Sequence, residues 1–94
     1  MTIAVIQDLE GATPEQYDAI IEKMGITPGG KHLDPGCLFH WVTKTDTGLR
    51  IVDVWETRAQ FDTFVAEQVV PLSLEAGFPN PPQNTFHDVH TYFN

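Results

Sequence analysis

Apolar and polar positions along the chain switch repeatedly between two spacings. From Ile3 to Leu9 the run IAVIQDL is rich in β-branched residues and ends at EGA, which predicts a first strand. In the next stretch, TPEQYDAIIEKMG, Tyr17, Ile20, Ile21 and Met24 stand at i, i+3, i+4 and i+7, so a helix with one apolar face is expected. Its limits are written in the residues. Thr13 is a natural N-cap, Pro14 suits the first helical position, Gln16 completes a capping box and Gly25 is the stop. The segment ITPGGKHLDPG reads as a loop. CLFHWVTK and LRIVDVWE, joined across TDTG, predict a β-hairpin. Thr57 and Gln60 repeat the capping pattern ahead of a helix with Phe61, Phe64, Val65 and Val69 on one face. Pro71 is expected to break or kink that helix, with LSLEAG adding a further turn and FPNPPQ forming a connection. NTFHDVHTYF closes the chain as a last strand.

The resulting order, βαββαβ, predicts an α+β, ferredoxin-like fold: a four-stranded antiparallel sheet with both helices on one face. The other sheet face is then uncovered and the edge strands are unpaired, and both features favour self-association. At 94 residues, 41% hydrophobic, the chain makes a single domain, residues 1–94. A domain of this size buries only about 60 to 70% of its unfolded surface, so a homodimer interface would add stability. Thirteen acids stand against five bases, for a formal net charge of −8. The bases, Lys23, Lys31, Lys44, Arg50 and Arg58, are scattered, which argues against nucleic acid or an anionic membrane as partner. One cysteine allows no internal disulfide, and MTIAVIQDLEG has neither the basic start nor the apolar length of a signal peptide, so a soluble, cytoplasmic protein is expected.

The chemistry centres on LFHWV, where His40 interrupts an apolar strand. If Lys44 faces Leu49 across the hairpin, facing residue numbers sum to 93, which sets His40 opposite Asp53 and Leu38 opposite Trp55. One face then carries Leu38, His40, Val42, Ile51, Asp53 and Trp55. A histidine held by a carboxylate is a candidate oriented base, because the carboxylate selects the tautomer. A three-residue loop with Gly48 in a bulge would shift the sum to 94, pair His40 with Val54 and turn Asp53 to the other face. On the hairpin alone, mutual satisfaction of His40 and Asp53 inside a small core outweighs catalysis, since buried polar groups need partners whatever they do.

Other patterns carry less. GITPGGKH contains the G-x-x-x-x-G-K skeleton of a phosphate loop, but His32 replaces the Ser or Thr, Pro28 lacks an N–H, and the segment follows a helix. His87 and His90, three apart in a strand, would point to opposite faces and cannot share a metal, so no metal site is expected. The same offset separates Cys37 from His40 and suggests a buried apolar role for the thiol. Phe61, Phe64 and Tyr17 suit a core, and ten aromatics in 94 residues also suit a cavity for a flat apolar ligand.

The βαββαβ order, the strand IVDVWET running straight into RAQFDTFV, and the aromatic last strand resemble the dimeric α+β barrels grouped with antibiotic biosynthesis monooxygenases. The resemblance covers nearly the whole chain, and V-x-V-W followed by a capped helix is its most specific part. It implies that two subunits pack their open sheet faces into a closed barrel, with a ligand cavity between each sheet and its helices. Members include cofactor-independent oxygenases of polyketide aromatics, haem-degrading enzymes and small isomerases or cyclases. The Asn, Trp and His of the haem-degrading members would fall near Gln7, Phe64 and Leu74, so the resemblance carries no haem site. Trp55 and Arg50 match the residue types, but not securely the positions, of two groups used by the quinone-forming oxygenases.

Two functional readings follow. In the first, the protein is an enzyme, a cofactor-free monooxygenase of an aromatic polyketide-like substrate or a related isomerase or cyclase. His40, oriented by Asp53, removes a proton, and Trp55, Phe61, Phe64 and Tyr17 hold the ring. No metal, flavin or other cofactor is needed, because the substrate carbanion supplies the electrons. In the second, the same cavity binds an apolar or aromatic small molecule without catalysis, or is filled by side chains.

Overall fold

The computed structural model describes residues 2–25, 36–78 and 80–93. Strand β1 (Ile3–Glu10) leads to helix α1 (Pro14–Met24), then to the hairpin β2 (Cys37–Lys44) and β3 (Gly48–Trp55). Helix α2 (Arg58–Phe64) continues through a π-helical turn (Val65–Val69) into α3 (Val70–Ala76), and β4 (Gln83–Asp88) completes the sheet. All pairings are antiparallel, in the order β2-β3-β1-β4. This is the ferredoxin-like α+β arrangement expected from the order of elements. The expected loop ITPGGKHLDPG, and with it most of the phosphate-loop-like stretch, lies outside the described residues. Among the described residues no helix is long and apolar enough to cross a membrane.

The local chemistry of α1 follows its sequence. The Thr13 hydroxyl accepts from the Gln16 N–H, and the Thr13 N–H donates to the Gln16 side chain. Gly25 ends the helix at φ 75°, a left-handed conformation that costs glycine little. Gln16 has a second use: its amide donates to the Gly77 carbonyl at 3.1 Å, and with the Lys23–Glu75 ion pair it ties α1 to α3. At the hairpin turn, a Cβ on Gly48 would collide with the Leu9 carbonyl, so β1 and β3 meet there only because glycine is present.

Burial alternates along β1, with Ile3, Val5, Gln7 and Leu9 buried. The helices cover that face, and two apolar clusters form beneath them. Ile3, Val5, Trp55 and Phe61 make one, flanked by Phe64, Val65 and Phe86; Leu9, Ala12, Leu49 and Ile51 make the other, flanked by Tyr17, Val42 and Phe78. By strand register the opposite face carries Ala4, Ile6, Phe39, Trp41, Val52 and Val54, with the Asp8–Arg50 ion pair beside them. Trp41 is 41% exposed there.

Four details depart from the sequence expectations. The hairpin keeps the sum of 93 from Lys44 to Phe39, so His40 faces Asp53, but Cys37 rather than Leu38 pairs with Trp55. Leu38 is the extra residue of a β-bulge, and it breaks the alternation that would have put Cys37 and His40 on opposite faces. Pro71 does not break the second helix. It sits in the first turn of α3, preceded by the π-turn in which the Val70 N–H reaches the Val65 carbonyl. The wider turn accommodates a ring that would crowd the carbonyl four residues back in a regular helix. Finally, β4 stops at Asp88, so His90 lies beyond the strand, and strand alternation no longer describes its relation to His87. Both histidines are exposed.

Candidate active site

Between the two apolar clusters lies a polar band. Asp53 sits at the middle of the central strand β3, with His40 opposite it on β2 and Val5 opposite it on β1. Gln7, one diagonal step along β1, points to the same side. Asp53 is 3% exposed and Gln7 7%. A carboxylate that deep is tolerable only if its oxygens are engaged, and they are. One oxygen meets His40 Nδ1. The other accepts from Trp55 Nε1 at 3.2 Å and from Gln7 Nε2 at 3.5 Å.

This arrangement selects the tautomer of a neutral histidine. Asp53 can only accept, so the neutral His40 ring carries its proton on Nδ1 and presents Nε2 as a lone pair. Tyr17, reaching in from α1, places its hydroxyl 2.7 Å from Nε2, with the two rings near parallel at 15° and 6.3 Å between centroids. The phenol donates to Nε2, and a continuous chain Tyr17–His40–Asp53 results. Burial, with the Asp53 and Asp18 charges adding to it, pushes the Tyr17 phenol up to about 12. Tyr17 is therefore a neutral donor across the physiological range.

The chain opens onto a cavity of about 70 Å³, measured as space for the centre of a water-sized sphere. Apolar walls come from Leu9 and Ile51 on the sheet, Ile20, Ile21 and Met24 on α1, and Phe64 and Val69 on the second helical run. Trp55, Cys37 and Phe78 also border it, and Ser73 enters from α3.

The structure thus brings together five of the six residues singled out by sequence. His40, Asp53, Trp55, Tyr17 and Phe64 all line the cavity. Tyr17, expected as core or as a wall for a ligand ring, is the third member of the hydrogen-bonded chain. Phe61 is the exception. It is 2% exposed and packed edge-on between Trp55 and Phe86, at 5.8 and 5.7 Å between centroids, so it supports Trp55 from behind instead of touching a ligand. Cys37, expected in the core and on the face away from His40, packs on the first apolar cluster but also borders the same cavity, on the His40 face because of the Leu38 bulge. Gln7 and Ser73 carried no signal as chemical groups in the sequence. Of the positions where the haem-degrading triad would fall, Gln7 and Phe64 line the cavity and Leu74 is 77% exposed. Among the described residues no three His, Cys, Asp or Glu side chains cluster as metal ligands would.

No family model matches the sequence, and neither does any curated protein. Solved structures do match, over nearly the whole chain. The protein Rv0793 from Mycobacterium tuberculosis is 19% identical, with a TM-score of 0.67 and full coverage of both chains. A monooxygenase from the ActVA-Orf6 gene of Streptomyces coelicolor, solved with nanaomycin D, is 20% identical at a TM-score of 0.56, covering 99% of this chain and 90% of that one. SnoaB from Streptomyces nogalater, a cofactor-independent oxygenase, is 12% identical at a TM-score of 0.61, covering 97% and 94%. The fold is therefore the one found in antibiotic biosynthesis monooxygenase-like proteins, cofactor-independent oxygenases among them.

Proposed function

We propose that this protein is a cofactor-independent enzyme that removes a proton from a small phenolic or enolisable aromatic molecule, with His40 as base, and that oxygenation of the resulting carbanion is the reaction it serves. The observation that carries this reading is the place of His40 in the cavity wall, with a buried, fully engaged carboxylate against its Nδ1 and only a displaceable phenol hydroxyl on its Nε2. Removing the proton makes an imidazolium flanked by Asp53 on one side and the substrate anion on the other, so charge is moved without being left unpaired.

Tyr17 occupies Nε2 in the structure. A substrate either displaces its hydroxyl or transfers its proton through it, Tyr17 taking the proton as it gives its own to His40. In the oxygenase reaction, a methylene carbon loses its proton to His40, and the carbanion passes its electrons to dioxygen as a C–O bond forms. The hydroperoxide, reprotonated from His40, then loses water to leave a carbonyl. One dioxygen is consumed and one water formed, with the electrons supplied by the substrate. The solved neighbours described as oxygenases support this class through their fold.

A binding protein without catalysis is favoured by a different observation: the Tyr17–His40–Asp53 chain is already fully hydrogen-bonded, as a purely structural network would be. His40→Gln separates the two. If His40 is the base, oxygen uptake with a small enolisable aromatic substrate falls by about 10²-fold or more while the melting temperature changes little. If it only partners Asp53, stability falls by a few kcal/mol and wild-type protein consumes no oxygen.

For assembly, we propose a homodimer closed through the sheet face that carries Phe39, Trp41 and Val52, since a contiguous apolar face of this kind on a small domain favours a partner.

A further inference from the structure

We infer that the ligand is a neutral, single-ring phenol or enol bearing a second polar substituent, and that Ser73 is the residue that reads this substituent; the inference rests on the reading of His40 as base.

Charge comes first. Among the described residues that line the cavity, Asp53 is the only Asp or Glu and His40 the only basic side chain, and no Lys or Arg is present. A ligand carboxylate or phosphate would enter next to a buried carboxylate with no Lys or Arg among the described lining residues to meet it, at a desolvation cost that those residues do not offset. A neutral ligand incurs no such cost, and the anion that forms during reaction does so against an imidazolium.

Size comes second. A cavity of about 70 Å³ is smaller than the roughly 150 Å³ apolar cavity known to admit benzene. One ring can be admitted if the pliable Met24 side chain gives way, whereas a fused tricycle would require the helices to move off the sheet.

Polar groups come third. Gln7, Tyr17, His40 and Asp53 all border the cavity, and each is already bonded to another of the four. Ser73 also borders it, but its hydroxyl makes no hydrogen bond among the described residues, while its carbonyl accepts from the Gly77 N–H and from the Phe78 N–H at 3.2 Å. The π-turn is what places it there. An unbroken α-helix from Phe61 and Phe64 would turn Gln68 and Leu72 toward the sheet, whereas the extra residue of the π-turn brings Val69 and, four residues on, Ser73. An apolar helix face thus acquires one free hydroxyl, on a different element from the sheet residues that hold the proton chain.

The test is equilibrium binding under nitrogen, so that turnover does not enter. Hydroquinone and resorcinol are titrated beside their isosteres 4-methylphenol and 3-methylphenol, with 4-hydroxybenzoate as the anionic probe, against wild type, Ser73→Ala and Ser73→Thr. At least one dihydroxy probe is expected to bind wild type about 3- to 10-fold more tightly than its methyl isostere, the range of one neutral hydrogen bond. That advantage disappears in Ser73→Ala and persists in Ser73→Thr, and 4-hydroxybenzoate binds about tenfold or more weakly. Equal binding of dihydroxy and methyl probes to wild type overturns the inference. So does an advantage that survives Ser73→Ala, tight binding of the benzoate, or no binding by any probe. Failure of the base assignment is read separately, as unchanged oxygen uptake by His40→Gln, and leaves these binding ratios in place.

Discussion

Asp53→Asn perturbs the proton chain with almost no change in shape, and its consequences can be worked from the contacts. The carboxylate accepts from Trp55 Nε1, Gln7 Nε2 and His40 Nδ1. Hydrogen bonds to an ionised acceptor are worth about 1.5 to 3 kcal/mol and neutral ones about 0.5 to 1.5, so weakening three of them costs about 3 to 4.5 kcal/mol. Relief from burying a charge offsets part of this. A net loss of about 1 to 3 kcal/mol is expected, which for a domain of this size lowers Tm by roughly 5 to 20 °C. The functional effect should be larger. With the Asn oxygen facing Trp55 and Gln7, its NH₂ faces His40, and the ring must accept at Nδ1 and carry its proton on Nε2. The base then has no lone pair toward the cavity, and activity should fall by about 10² to 10⁴-fold. Nitrogen-15 spectra of the imidazole report the tautomer directly. Asp53→Ala should be far less stable than Asp53→Asn, because it leaves three buried donors without an acceptor. Persistence of the Nδ1–H tautomer in Asp53→Asn, or turnover equal to wild type, refutes the reasoning.

Other expectations follow from the same contacts. Tyr17 has its pKa raised to about 12 from an ordinary value near 10, so the folded state keeps this proton longer than the unfolded one; its contribution is complete below pH 10 and is lost as pH rises toward 12. Absorbance at 295 nm should therefore show a late phenol ionisation that is missing from Tyr17→Phe, and chemical melts of wild type, but not of the variant, should lose this contribution over the same interval. Phe61→Ala removes the ring wedged between Trp55 and Phe86 and should cost about 3 to 5 kcal/mol in a urea melt, a cost expected of core and not of a ligand contact. Trp41→Glu places a charge in the open sheet face; light scattering should report a dimer for wild type and a monomer for the variant, and a monomeric wild type at micromolar concentration would sink the proposed assembly.

Much of this protein was legible in local chemistry. Thr13, Gln16 and Gly25 mark the ends of α1 because capping satisfies backbone groups within a few residues, and no distant partner is needed to recognise it. The βαββαβ order follows from hydrophobic period in the same way. The facing of His40 and Asp53 was one of two registers the hairpin sequence allowed; the Lys44–Leu49 pairing selects it and carries it as far as Phe39.

What tertiary structure alone decided lies where one residue is added to a repeat. The Leu38 bulge brings Cys37 round to the cavity, and the π-turn at Val65–Val69 does the same for Ser73. Each insertion gives up a regular backbone pairing, and packing elsewhere must compensate: Cys37 against the Ile3, Val5, Trp55 and Phe61 cluster, and the helical run over the cavity beneath it. Tyr17 makes the same point from the opposite side. Its place on the apolar face of α1 is written in the sequence, but its hydroxyl meets Nε2 only because α1 docks against α3 and over the sheet, through contacts between residues some sixty apart such as Gln16 and Gly77. A periodic pattern reports which face of an element is apolar. It cannot report which groups on that face will meet, because that depends on how separate elements pack and on where a single inserted residue turns them.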